Sequence, residues 1–331
     1  MEEIKKYQVC IRCYTYNQAL YILDALENFV IQKTNFPFVI VVVDDASSDG
    51  EQEVIRDFIN KNFDIHDKAT SYTRDTDLAN VMYAQHSTNK NCYIAAILLK
   101  HNLYKEPDKK SVLVDEWRNQ SKYEALCEGD DWWLSDEKLQ RQFDILENHP
   151  EVDMCACGTS CFKDGKIQRH ITPSSDERIL SIEEVILGGG GFLGTNSIMH
   201  RVSLLHDGMQ FWRSLYLDYF NQIHGALRGG VYYLPECMAA YRLVSQGSWR
   251  DRMNVEHKAR FFHSERVIET LNIFERETDC RYHEIVERMK MSIYQNMFKN
   301  GIKNHLLFDG LSLPEKIKMI TLLFRHNKNK R

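Results

Sequence analysis

No run of this 331-residue chain reaches the ~20 consecutive apolar residues that a membrane span needs. The segment Met1 to Tyr7 is charged where an export signal would be apolar. Both absences lead us to expect a cytoplasmic protein. A basic excess is missing as well: 42 Lys and Arg face 47 Asp and Glu, a net charge of -5. Nucleic acid as the main partner is thereby excluded, because it requires a concentrated basic face. Nine cysteines in a chain of this length do not make a disulfide framework. Cys10 and Cys13 form a CxxC, but Cys10 lies in a β-like run and Cys155, Cys157 and Cys161 lack the spacing of a second zinc knuckle. Buried, reduced thiols are expected instead. The 13 histidines contain no HExxH spacing and no internal repeat is visible. The four glycines Gly188 to Gly191 lack the Lys-Ser/Thr ending of a phosphate-binding P-loop, which leaves a closely approached active-site loop or a plain connector.

What is present is the patterning of an ordinary globular chain, 43% hydrophobic and 27% charged. Gln8 to Arg12 reads as a strand and Gln18 to Gln32 as a helix. The uninterrupted apolar run Phe38 to Val43, followed by a helical pattern from Glu51 to Ile59, is that of a strand covered on both faces in a mostly parallel sheet. Asn60 to Asn91 is polar and poorly periodic, Cys92 to Asn102 reads as a helix, and Tyr104 to Lys122 as an exposed excursion. A helix over Asp136 to Asn148 and a hairpin turning at Asp164-Gly165 come next. Leu217 to Arg228 reads as a helix, with strands at Val231 to Pro235 and Met238 to Arg242. The expected architecture is α/β, a mostly parallel central sheet with flanking helices in a domain over residues 1–250, plus a C-terminal helical extension over 251–331.

The chemistry concentrates in Glu128-Gly129-Asp130-Asp131-Trp132-Trp133. Three carboxylates within four residues repel one another unless a cation is present, and Mn²⁺ or Mg²⁺ takes such oxygen ligands together with substrate phosphates. The competing reading is a helix start, since acidic residues favour helix N-termini. Ser135, Asp136 and Glu137 already supply that chemistry.

Three features occur in order: Tyr14-Thr15-Tyr16-Asn17 after the first strand, Val43-Asp44-Asp45-Ala46-Ser47-Ser48-Asp49-Gly50 at the second, and the acidic hexapeptide before Leu134 to Leu139. Over roughly residues 7–250 the chain resembles family 2 glycosyltransferases of the A-type nucleotide-diphospho-sugar fold, especially bacterial enzymes that build surface polysaccharides. The resemblance implies that Asp45 hydrogen-bonds the nucleobase with Tyr16 lining the same pocket, while Asp44 and Asp49 shape the turn. It further implies that Asp130 meets the ribose and metal region and that Asp131 ligates the ion. Glu128 stands where the family more usually has Asp, which points to a role through water. Asp218 matches the family's general base, and an Asp at a helix start is also a standard cap. Arg242 and Trp249 match the segment that closes over the diphosphate. Trp132, Trp133 and Trp249 are candidates for sugar stacking, or equally for core packing.

These residues imply a metal-dependent inverting transfer from a nucleotide-sugar donor to a glycan or lipid-linked acceptor. A sugar-nucleotide nucleotidyltransferase is the alternative, although Cys13 to Asn17 is not its Gly- and Arg-rich loop. A non-catalytic sugar-binding or assembly subunit is another. Ile317, Ile320 and Phe324, with Lys316, Lys318, Arg325, Lys328, Lys330 and Arg331 nearby, give an amphipathic basic helix. It either docks peripherally on the inner face of an anionic membrane or packs on the preceding helices.

Overall fold

A computed structural model describes residues 6–213, 217–243 and 257–303. These fall into two compact units, the first Met1–Ile182, Gly190–Gly208 and His224–Ser245, the second Glu183–Gly189, Met209–Ile223 and Gln246–Arg331.

The first unit is built on a mixed sheet. At its centre β1 (Tyr7–Thr15), β2 (Phe38–Asp44), β5 (Cys92–Leu99) and β6 (Ser121–Leu126) run parallel in the order β6-β1-β2-β5. Every residue of β2 is buried, and alternation explains how. Phe38, Ile40 and Val42 pack with Ile22, Leu26 and Phe29 of α1 (Ile22–Val30) and Ile55 and Ile59 of α2 (Glu51–Asn62). Val39, Val41 and Val43 pack on the other face with Val114 and Trp117 of α3 (Pro107–Arg118). A strand covered by helices on both faces needs no polar side, hence the unbroken apolar run.

The mixed α/β class is as expected, but the sheet is less parallel than the sequence suggested. On one flank, β4 (Ala79–Gln85) pairs antiparallel with β5, and β3 (Tyr72–Asp75) pairs antiparallel with β4. On the other, β11 (Met199–Arg201) runs antiparallel to β6 and to β8 (Met154–Lys163). Beyond β8 lies β12 (Val231–Arg242), parallel to it, and then β10 (Arg178–Leu180). The segment 92–102 is a strand and not a helix, because Ile94, Ala96 and Leu98 face one core cluster while Ala95, Ile97 and Leu99 face the other. Eight apolar residues in a row do not distinguish a two-sided strand from a buried helix. The polar stretches around it hold β3, β4 and α3, where local amphipathicity is weak. The hairpin of β8 with β9 (Lys166–Ile171) turns at Asp164-Gly165 as read, both residues at positive φ (50° and 72°). The two strands expected after residue 230 are one, bent where its register shifts between Leu234 and Ala239 and thereby accommodating Pro235.

Between β1, β6, β11 and α3 lies a buried ionic cluster. Glu124 is approached by His200 Nε2 at 3.1 Å, Arg118 Nη1 at 3.5 Å and Arg12 Nε at 4.0 Å. Burial alone would raise its carboxyl, yet the His200 hydrogen bond and the two guanidinium charges outweigh this and hold it at about 2. A depressed carboxylate stabilises the fold fully above its ordinary value of 4.5 and loses that contribution as pH falls towards 2. In urea unfolding, the wild-type midpoint is therefore expected to drop more steeply between pH 5 and pH 3 than that of Glu124→Gln. Equal slopes would show that the cluster does not titrate with folding.

The second unit is helical where described. The helices α7 (His257–Glu277) and α8 (His283–Lys303) form a hairpin through Asp279 and Cys280, both at positive φ. Phe211 packs on Phe274 and Phe220. Lys290, only 7% exposed, pairs with Glu275 and with Glu287 at 2.8 Å, while His283 Nδ1 lies 2.6 Å from Glu275. The ammonium already balances this acidic group.

Candidate active site

The site of the first unit begins at the carboxyl end of β1. Asn17, at φ 54°, donates its N–H to Ser47 Oγ (2.8 Å), and its side-chain oxygen accepts Ser48 N–H (2.8 Å). Glu51 accepts from Gln18 N–H (2.9 Å), Ser47 Oγ (2.8 Å) and the Thr15 hydroxyl. Asp49 accepts Ala19 N–H (2.9 Å) and Glu51 N–H (3.2 Å). Asp44 takes Ser47 N–H (3.0 Å) and Gln52 Nε2 (2.5 Å). These bonds fasten the turn after β1 to the turn after β2. Glu51, fully buried, is the hub, and nothing in the sequence marks it out because an acid opening a helix looks ordinary.

Asp45 sits at the rim of this turn, 3% exposed. Its N–H donates to Thr15 O (3.0 Å), Oδ1 accepts Leu103 N–H (2.5 Å) and Oδ2 lies 3.1 Å from Lys110 Nζ. Lys110 also stands 5.1 Å over the Tyr14 ring. Tyr16 is 48% exposed.

The acidic hexapeptide arrives on the other side of β1. Cys127 N–H donates to Arg12 O (3.1 Å) and Gly129 N–H to Tyr14 O (3.0 Å), after which Asp131 N–H closes a turn onto Glu128 O (3.1 Å). The backbone passes so close to β1 that a Cβ on Gly129 would lie 2.3 Å from Thr15 Oγ1 and 2.7 Å from Gln18 Oε1. Gly129→Ala is therefore expected to cost about 1–3 kcal/mol, the usual range for forced overpacking. Thermal unfolding measures it; an unchanged midpoint would mean that the hexapeptide lifts away at no cost.

Glu128 and Asp130 are half-buried and Asp131 is buried. Asp131 Oδ1 accepts Arg242 N–H at 2.8 Å. Burial pushes the Asp131 carboxyl well above the carboxylate range, and the charges of Asp130 and Glu128 push it further. Arg242 Nε donates to Asp130 O (2.9 Å) and Nη2 pairs with Asp24 (2.7 Å). Its guanidinium stacks between Tyr21 (4.4 Å) and Trp132 (4.7 Å). The sugar-stacking role suggested for Trp133 does not hold. Its ring is fully buried against Phe29 and beneath Lys138, and its Nε1–H is spent on Asn196 O (2.9 Å). Trp249 and the C-terminal amphipathic segment lie outside the described residues.

Asp218 belongs to the second unit. It is exposed and opens α6 (Asp218–Ala226), with the Leu217 carbonyl accepting the first helical hydrogen bonds from Phe220 (3.0 Å) and Asn221 (3.3 Å). Asp218 is thus the first residue inside the helix, where negative charge is favoured. Among the described residues no helix is long and apolar enough to cross a membrane.

Residues 11–97 match the profile described as Glycosyl transferase family 2, a span holding both fastened turns. The chain has the A-type glycosyltransferase fold, and within it residues 11–97 resemble family 2 glycosyltransferases. The profile match ends before the hexapeptide. The crystal structure of S. aureus TarS 1-349 superimposes with a TM-score of 0.60 at 14% identity, covering 93% of this chain and 77% of that one. The same TarS fragment in complex with UDP-GlcNAc gives 0.59 at 14% identity, covering 94% and 79%. These likenesses bear on the fold. In sequence, uncharacterized proteins of Mycobacterium tuberculosis and Mycobacterium bovis are 29% identical over 236 residues, which is 71% of this chain. The chain spans 58% of the length of these curated relatives.

Proposed function

We propose that this chain is a family 2 glycosyltransferase that moves a sugar from a UDP-linked donor to a hydroxyl of a glycan or lipid-linked acceptor, with inversion, in bacterial surface polysaccharide synthesis. One observation carries the reading. The end of β1 is flanked on one side by Asp45, through Thr15 O, and on the other by the hexapeptide, through Tyr14 O. A buried carboxylate and an acidic cluster thus lie at the carboxyl ends of neighbouring parallel strands, where open α/β sheets bind ligands. That TarS was crystallised with UDP and with UDP-GlcNAc supports uridine donors as the first to test.

The hexapeptide fits a hard divalent ion, Mn²⁺ or Mg²⁺. It offers only carboxylate oxygens, and burial together with their mutual repulsion already raises Asp131. In this proposal Asp131 would hold the ion, Glu128 would act on it through water and Asp130 would meet the ribose and metal region. Bound there, the ion supplies positive charge against the leaving nucleoside diphosphate. Asp45 and Tyr16 hold the base and Asp130 lies towards the ribose. Arg242 exchanges its exposed partner Asp24 for phosphate oxygens, and Trp249 closes over the diphosphate. Asp218 takes the acceptor's proton, the acceptor oxygen bonds to the anomeric carbon, and the bond to phosphate breaks on the opposite face. Peripheral membrane contact by the C-terminal segment would bring a lipid-linked acceptor within reach.

The experiment is a panel of nucleotide sugars with Mn²⁺ and no acceptor, read by release of nucleoside diphosphate. Slow hydrolysis of a UDP-sugar is expected. Absence of both hydrolysis and binding for every member of the panel would overturn the proposal.

A further inference from the structure

The geometry points to Lys110 as a specificity-determining residue that, paired with Asp45, reads the lactam edge of the nucleobase. This inference rests on the nucleotide-site reading above and adds to it the group that reads the base carbonyl. Asp45 and Lys110 face each other at 3.1 Å with little exposure, their side chains 4% and 17% accessible. Neither is saturated by the other. A carboxylate offers about four acceptor positions and an ammonium three donors. Asp45 spends acceptor positions on Leu103 N–H and Lys110, and the Lys110 ammonium donates to Asp45 alone among the described residues while resting on the Tyr14 ring.

The pair is also held in place. Asp45 is tied through its backbone to Thr15 and through its carbonyl to Asn102 Nδ2 (2.9 Å). Leu103 N–H fixes the rotation of the carboxylate, and Lys110 is anchored on α3 with Val114 and Trp117 buried behind it. An acceptor beside a donor, at fixed spacing, is the complement of a ring N–H beside a carbonyl. Uracil and guanine present that edge. Cytosine and adenine present a bare ring nitrogen beside an amino group, which sets a lone pair against the Asp45 carboxylate and a donor against Lys110. A site built from buried polar groups rejects such a reversal strongly, because those groups are left unpaired.

The test is calorimetry of the full chain with UDP and with CDP, both with saturating Mn²⁺. The proteins compared are wild type, Lys110→Met, which keeps the aliphatic stem and removes the donors, and Lys110→Arg, which keeps them. Wild type is expected to prefer UDP over CDP by at least about 10-fold, one charge-assisted hydrogen bond. Lys110→Met is expected to lose roughly 10-fold or more of its UDP affinity with little change for CDP, and Lys110→Arg to restore most of it. Equal UDP binding by wild type and Lys110→Met, or a wild type indifferent to UDP and CDP, overturns the role of Lys110 and leaves the nucleotide site standing. Binding of neither nucleotide by wild type sinks both readings. Should Lys110→Met fail to fold, the wild-type ratio and Lys110→Arg still decide.

Discussion

Asp131→Asn is expected to lower metal-dependent donor hydrolysis by at least about 10²-fold, equivalent to ~3 kcal/mol of charge stabilisation in the transition state, while the protein remains folded. The substitution preserves volume, and the Asn oxygen still accepts Arg242 N–H, the 2.8 Å bond that joins the hexapeptide to the end of β12. What disappears is one negative charge from a cluster of three. A readout independent of turnover follows from linkage. Because burial and the Asp130 and Glu128 charges raise the Asp131 carboxyl, the folded protein binds that proton more tightly than the unfolded chain. Without metal, stability therefore rises as pH falls towards the raised value. Mn²⁺ should relieve the same repulsion at neutral pH and raise the wild-type melting temperature. Asp131→Asn should be at least as stable as metal-free wild type and should gain little from Mn²⁺. Near-normal turnover at limiting Mn²⁺ would show that Asp131 only fastens the hexapeptide to Arg242, and Asp130→Asn would then be the variant that loses the metal.

The parts of this site that were legible in the sequence are those in which backbone geometry demands a particular side chain. The run Asp44 to Gly50 reads as a turn because Asp44 and Asp49 accept its N–H groups and Gly50 adopts φ 90° before α2. The hexapeptide reads as a site because three like charges in four residues have few structural uses. Lys110 and Asp24 were not legible. Each is a charged residue on a helix, and only the tertiary fold brings Lys110 to Asp45 across 65 residues and Asp24 to Arg242 across 218. The strand at 92–99 was misread for the same reason, since burial on both faces erases the polar alternation by which a strand is told from a helix. At Trp133 the sequence leaves sugar stacking and core packing open; its neighbour Trp132 alternates to the other face of the short strand β7 (Trp132–Trp133), and Trp133 points into the core.

Asp218→Asn is expected to reduce sugar transfer by about 10²- to 10⁴-fold, the usual contribution of a general base, with nucleoside diphosphate affinity unchanged. The proposed role concerns the acceptor proton, so ground-state binding of the nucleotide has no reason to respond. The competing explanation is structural, because an Asp in the first turn of a helix stabilises it by ~0.3–1 kcal/mol through the helix dipole. The two separate cleanly. The Leu217 carbonyl and the backbone carry the first hydrogen bonds of α6, and Asn keeps the size of the side chain while losing its charge. A structural role predicts a melting temperature lowered by a few degrees and transfer falling only in proportion to the unfolded fraction. A base predicts loss of transfer at full nucleotide binding and an unchanged melting temperature. Calorimetry with UDP and Mn²⁺, thermal unfolding and the transfer assay are to be read together. Transfer within a few-fold of wild type would remove Asp218 from the mechanism.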